Sequence, residues 1–117
     1  DEGESIDEIL VYVNSEIGKY NKYGSRISVD GDNLIFMNEF GRSDIPFRWI
    51  DFRMNYEHNS IDIYCIDESK CIKKYDDNGE LTTWNYYNIS MPVEGGIAPT
   101  AKVVLEKCKS LKKRVLR

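Results

Sequence analysis

The sequence predicts a single α+β domain in which one helix, a run of short antiparallel strands and a second helix follow one another. Three observations carry this. Apolar residues recur at helical spacing near the two ends of the chain; they alternate with polar residues at period two between about residues 26 and 91; and Asp, Asn and Gly punctuate that middle stretch with turns. A length of 117 residues with 41% hydrophobic and 31% charged side chains suits one domain, residues 1–117, with a real core. The same composition excludes a disordered tail, a collagen-like fibre and a disulfide-dense mini-protein. Apolar runs are too short to span a bilayer, and no positively flanked apolar stretch follows Asp1, so a soluble chain without a signal peptide is expected.

The first helix is expected over residues 5–17. Ser5 and Glu8 have the spacing of a capping box, in which hydroxyl and carboxylate each take up an orphan backbone N–H. Ile6, Ile9, Leu10, Val13 and Ile17 form one apolar stripe, and Gly18 offers a stop. The period then shortens. Arg26–Val29 and Leu34–Asn38 read as two strands about the turn Asp30-Gly31-Asp32-Asn33. Glu39 to Ser43 reads as a break, and Asp44–Phe47 as a short or edge strand, because Pro46 cannot donate to a ladder.

From Ile50 the alternation is strict, with Ile50, Phe52, Met54 and Tyr56 on one face. After the turn at His58-Asn59-Ser60, Ile61, Ile63 and Cys65 alternate with Asp62 and Tyr64. Cys71–Tyr75 reads as a sixth strand, Asp76-Asp77-Asn78-Gly79 as a turn, and about Trp84 to Met91 as a seventh strand with a bulge between Tyr86 and Tyr87. Glu94-Gly95-Gly96 closes this region. The second helix is expected over residues 99–117, with Ala101, Val104, Cys108, Leu111 and Val115 as its apolar stripe.

This order of elements resembles the pleckstrin-homology-like superfold over residues 26–117, and Ile45-Pro46-Phe47-Arg48-Trp49-Ile50-Asp51-Phe52 looks like the entry to the fourth strand in its bacterial members. The resemblance implies a bent seven-stranded antiparallel sheet or barrel capped by the C-terminal helix, with the N-terminal helix added outside or across the barrel edge. A cystatin-like sheet-on-helix arrangement is the structural rival. Members that bind phosphoinositides use cations in the loop between the first two strands. Here that loop carries Asp30 and Asp32, which repel a phosphorylated headgroup, so a phosphoinositide membrane is not the expected partner.

Charge is unevenly spread. Residues 1–97 hold 9 Lys or Arg against 19 Asp or Glu, a balance of -10, whereas residues 98–117 hold 7 against 1, a balance of +6. The cations Lys102, Lys107, Lys109, Lys112, Lys113, Arg114 and Arg117 suit the negative end of a helix dipole; the alternative is an anionic membrane or nucleic acid, which the acidic body disfavours. A Cys–His pair would need His58, which falls in a turn, and the acidic turns lack a calcium-loop pattern. No metal ligand set, cofactor motif or catalytic residue is expected.

The three cysteines are Cys65, Cys71 and Cys108. If the fifth and sixth strands form a hairpin with a two-residue turn at Glu68-Ser69, Cys65 pairs with Ile72 and Ile66 with Cys71. Cys65 and Cys71 then point to opposite faces and stay reduced. Tyr64, Tyr75 and Tyr86 are expected on outward faces, as cross-strand pairs or as a contact surface for a protein or glycan. These features together point to a non-catalytic module that binds a protein or peptide, with the groove between the fifth strand and the C-terminal helix as the expected peptide site, where the exposed strand edge (Ile61, Ile63, Tyr64 and Ile66) accepts main-chain hydrogen bonds. The alternatives are a small enzyme with a carboxylate site that no motif marks, and an anion binder acting through the basic helix.

Overall fold

The computed structural model describes residues 3–20, 23–82, 86, 88–93 and 99–117. Among these the chain forms α1 (Ile6–Gly18), β1 (Arg26–Asp30), β2 (Asn33–Asn38), β3 (Gly41–Pro46), a 3-10 turn (Phe47–Trp49), β4 (Ile50–Asn55), β5 (Ser60–Cys65), β6 (Lys73–Asp76), β7 (Asn88–Pro92) and α2 (Pro99–Val115). The class is α+β with seven antiparallel strands and two helices, as expected. Trp84, Tyr87, the expected bulge beside Tyr87 and the Glu94-Gly95-Gly96 segment lie outside the described residues.

Ser5 caps α1 as its sequence requires: its hydroxyl accepts the Glu8 N–H at 3.1 Å, and the Glu8 carboxylate accepts the Ser5 N–H at 3.1 Å. These bonds hold the Glu8 carboxyl below the usual carboxylate range. The strands form two sheets, ordered β1-β2-β3-β6 and β4-β5-β7, which do not close into a barrel. Isolated pairs join Tyr75 to Leu81 and Ile72 to Tyr86, which sets Leu81 and Tyr86 beside β6 and the residue before it. The strands at one end of each sheet, β1 and β4, are the ones the helices cover: α1 packs on β1, α2 on β4, and the helices on each other. The α1 stripe is therefore not an outer addition. Ile9, Val13 and Ile17 are fully buried in the same core as Ala101, Val104, Cys108 and Leu111 of α2.

β1 and β4 are each also met by a helix side chain. Asn14 of α1 donates to the Ile27 carbonyl at 2.9 Å and accepts the Ile27 N–H at 2.6 Å, taking the place of a neighbouring strand on β1. Lys112 of α2 donates to the Ile50 carbonyl of β4 at 2.6 Å. Replacing Asn14 with Ala orphans two backbone groups under a helix, and should cost about 1–3 kcal/mol. Urea unfolding measures this, and an unchanged midpoint would show that water replaces the amide without loss.

Several strand expectations are corrected. The break expected over Glu39 to Ser43 is only a two-residue turn, because β3 begins at Gly41 opposite Asn38. β3 is an interior strand between β2 and β6, not an edge; Pro46 is its last residue, beyond the Gly41–Asp44 stretch that β6 covers, so its missing N–H interrupts no bond to β6. The largest correction concerns β5 and β6. They are not a hairpin: β5 pairs with β4 on one side and β7 on the other, and β6 pairs with β3. Residues 66–72 therefore cross between sheets, and the opposite-face rule of a shared ladder no longer separates the two thiols. Cys65 and Cys71 form a disulfide, with their Cα atoms 6.0 Å apart. Ile72 is fully buried as expected, but opposite Tyr86 rather than Cys65.

Cys108 is the free cysteine, buried in the core, where loss of water pushes its thiol up to about 12. Alkylation of the unreduced, denatured protein should label Cys108 and leave Cys65 and Cys71 unmodified; alkylation of the native protein should label none. A thiol that stays protonated to about 12 when folded but ionises near 9.0 when unfolded contributes stability that is whole below about 9 and lost between there and about 12. The stability gap between wild type and Cys108→Ala should accordingly narrow as the pH is raised through that window. A gap independent of pH would place the thiol in contact with water.

Candidate functional site

The expected peptide site on β5 is not available. β5 is paired along both edges, and Ile61 and Ile63 are fully buried in the core rather than presented to a ligand. Tyr64 and Ile66 instead line a small cleft of about 370 Å³ with Arg53 and Asn88. The three tyrosines do not form one surface. Tyr64 lies in that small cleft, whereas Tyr75 and Tyr86 line a much larger one. Each ring carries a cation: Arg53 at 4.4 Å over Tyr64, Arg42 at 4.5 Å over Tyr75 and Lys74 at 4.3 Å over Tyr86. Arg42 and Tyr75 are direct cross-strand partners, so this pair stabilises β3 against β6.

The basic helix is partly spent within the fold. Lys107 binds the Glu4 carboxylate at 2.6 Å and lies 4.9 Å from the centre of the Tyr12 ring. Lys112 holds the Ile50 carbonyl, and Lys112, Lys113 and Arg114 occupy the last turn, where the helix dipole favours cations. Lys102, Lys113 and Arg117 face solvent, and Lys109 is half-buried.

The larger cleft has a volume of about 1180 Å³. Its floor is the row Phe36–Ser43–Lys74, three directly opposed residues of β2, β3 and β6 that share one face of the sheet. Ile72 and Tyr86 continue that face. One wall is the end of α1 and the loop after it, with Lys19, Tyr20 and Tyr23; another is the turn before β5 with β7, including His58, Ser60 and Ser90. Phe40 stands at the tip of the turn between β2 and β3, where the Asn38 side chain accepts its N–H at 2.9 Å. The Glu39 N–H donates to the Tyr23 carbonyl at 3.0 Å, tying the two loops together. The Tyr23 and Phe40 rings meet with centroids 5.2 Å apart and planes inclined at 57°. Tyr20, Tyr23 and Phe40 are 44%, 41% and 63% exposed, and they are gathered on one side of the cleft.

The charge of this cleft departs from that of the chain. Among the described residues that line it none is Asp or Glu, although the whole chain carries 20 of them and a net charge of -4. Lys19 is paired with Glu16 at 3.0 Å and Arg42 with Asp44 at 2.8 Å. Lys74 has no carboxylate in ion-pair range among the described residues, and its burial pulls the ammonium below the usual lysine value. Sequence reasoning missed Tyr20, Tyr23, Phe40 and Lys74. The first three carried a signal, since they are bulky aromatics at positions that belong to no apolar stripe.

The remaining buried carboxylate is Asp62, on the other face of β5. It accepts hydrogen bonds from the Ser90 hydroxyl at 2.9 Å and the Asn55 amide at 3.2 Å, with the Arg53 guanidinium at 3.8 Å. Among the described residues no three His, Cys, Asp or Glu side chains gather as a metal-binding group, and no helix is long and apolar enough to cross a membrane. Comparison with family models, with curated proteins and with solved structures finds no match to this chain.

Proposed function

We propose that this domain is a non-catalytic interaction module that receives a segment of another polypeptide in the large cleft. The observation that carries this reading is the exposed aromatic wall of Tyr20, Tyr23 and Phe40 above a floor of Phe36, Ser43 and Lys74. Aromatic side chains supply large contact area at low entropy cost, and they are over-represented in protein interfaces. A cleft of about 1180 Å³ is roomy for a small metabolite and suits several residues of an extended chain. Kinship with the pleckstrin-homology-like superfold belongs to this reading. It is supported by the order of elements, with seven strands before a terminal helix, while the open sheets speak against a closed barrel.

An enzymatic reading has less behind it. Two of the cysteines are joined and the third is buried and neutral, which leaves no activated thiol for His58. Asp62 accepts hydrogen bonds from Ser90 and Asn55 and is not among the described residues that line the cleft. Binding of anions through α2 draws on cations of which Lys107 and Lys112 are already engaged.

Selection from a random peptide display library on the immobilised protein tests the proposal. Enriched peptides should shift the amide resonances of Phe36, Phe40, Ser43 and Lys74, and a Tyr23→Ser, Phe40→Ser variant that retains its melting temperature should bind at least about tenfold more weakly, the loss expected for two hot-spot aromatics. Peptides that perturb the α2 surface instead, or that bind both proteins equally, would remove the cleft from consideration.

A further inference from the structure

We propose that the segment received by this cleft is acidic, and that it sets a carboxylate on the Lys74 ammonium with a neighbouring apolar or aromatic side chain against Tyr23 and Phe40. This deepens the reading above and rests on it. Lys74 sits on the floor of the cleft, half-buried, opposite Ser43 on β3, with the Tyr86 ring as its cationic contact. The two other lysine and arginine side chains of the lining are neutralised within the fold, Lys19 by Glu16 and Arg42 by Asp44. An ammonium half removed from water and facing a ring is short of hydrogen-bond acceptors, because its three N–H groups need oxygen and the quadrupole of one ring supplies none. An incoming carboxylate supplies them and favours the charged form that burial disfavours.

Charge complementarity selects the same ligand at longer range. The body of the chain, residues 1–97, has a balance of -10, which on average repels acidic segments. A cleft whose described lining carries no carboxylate is where such a segment can dock. A nucleic acid fits less well. A phosphate backbone needs a track of unpaired cations, whereas the described residues of the lining offer Lys74 beside Lys19 and Arg42, which are paired.

The test uses the peptides enriched by display on the full chain, synthesised with their own acidic residues and with those residues changed to the matching amides. Isothermal titration compares wild type, Lys74→Gln, Lys74→Glu and Lys113→Gln, with a thermal melt of each variant to confirm folding. The expected result is an acidic residue beside an aromatic one in the enriched peptides, a loss of about tenfold or more from the amide peptide or from Lys74→Gln, a larger loss from Lys74→Glu, and no change from Lys113→Gln. A peptide carrying Lys in place of its acidic residue should regain affinity for Lys74→Glu. Peptides that shift the Phe36 and Phe40 resonances but bind equally well as amides overturn the acidic-ligand proposal and leave the peptide-binding reading intact. Peptides that fail to perturb the cleft at all overturn both. A poly-uridine oligonucleotide that binds the cleft and is lost with Lys74→Gln, while acidic peptides do not compete, would overturn the choice of ligand.

Discussion

Replacing Leu111 with Asp is expected to unfold the domain. Leu111 is fully buried, the last fully buried position of the α2 stripe that begins at Ala101, and it belongs to the one core formed by both helices and the sheets. The substitution removes a leucine worth about 1.5–3 kcal/mol of apolar burial and forces a carboxylate either to ionise away from water or to take up a proton. Lys112, its neighbour in sequence, is already bound to the Ile50 carbonyl. Opening the helix to rehydrate the charge would also uncover β4 and break that bond, so relief on one side is loss on the other. Losses of this kind amount to several kcal/mol, of the order of the total stability of a small domain. Circular dichroism should show no cooperative melt, and Val104→Asp should behave alike. A cooperative transition at the wild-type midpoint in either variant would take α2 out of the core.

Replacing Gly41 with Ala should be nearly as damaging, for a different reason. Gly41 opens β3 at φ +143°, and a Cβ there would run into the Tyr75 carbonyl oxygen and lie 3.0 Å from the Asp76 carbonyl carbon. Both obstacles are backbone of β6, which cannot swing aside as a side chain would, so β3 and β6 must separate where Gly41 faces Asp76. Strain at this φ and loss of ladder bonds add together, to roughly 3 kcal/mol or more. Gly31 is the natural control. It lies at φ +59° with open space around it, so Gly31→Ala carries only the left-handed penalty, about 1 kcal/mol. Denaturant unfolding of both variants separates the effects: equal losses would mean that β6 does not approach Gly41 as closely as described. Gly41 also lines the cleft, and any folded fraction of Gly41→Ala should bind peptide less well.

The class of fold, both helices and the faces of most strands were determined by the sequence alone, because each rests on periodicities of two to four residues. Ser5 and Glu8 find each other within one turn, and the stripes of α1 and α2 need only a helix with a dry side. Ile50, Phe52, Ile61, Ile63 and Ile72 were all legible as core in the same way. Alternation says which face a side chain takes but not which strand lies beside it, and there the tertiary structure decided. Whether β5 neighbours β6 or β7 changes no local preference; it depends on how the curved sheets present β1 and β4 to the helices, with Asn14 and Lys112 finishing those edges. The Cys65–Cys71 bond follows from that choice alone: in a hairpin the pleat separates the thiols, and in a crossing between sheets it does not. The cleft is decided at the same level. Phe36, Ser43 and Lys74 are spread over 39 positions of sequence and acquire a common face only through the pairings of β2 with β3 and β3 with β6, which no local pattern encodes.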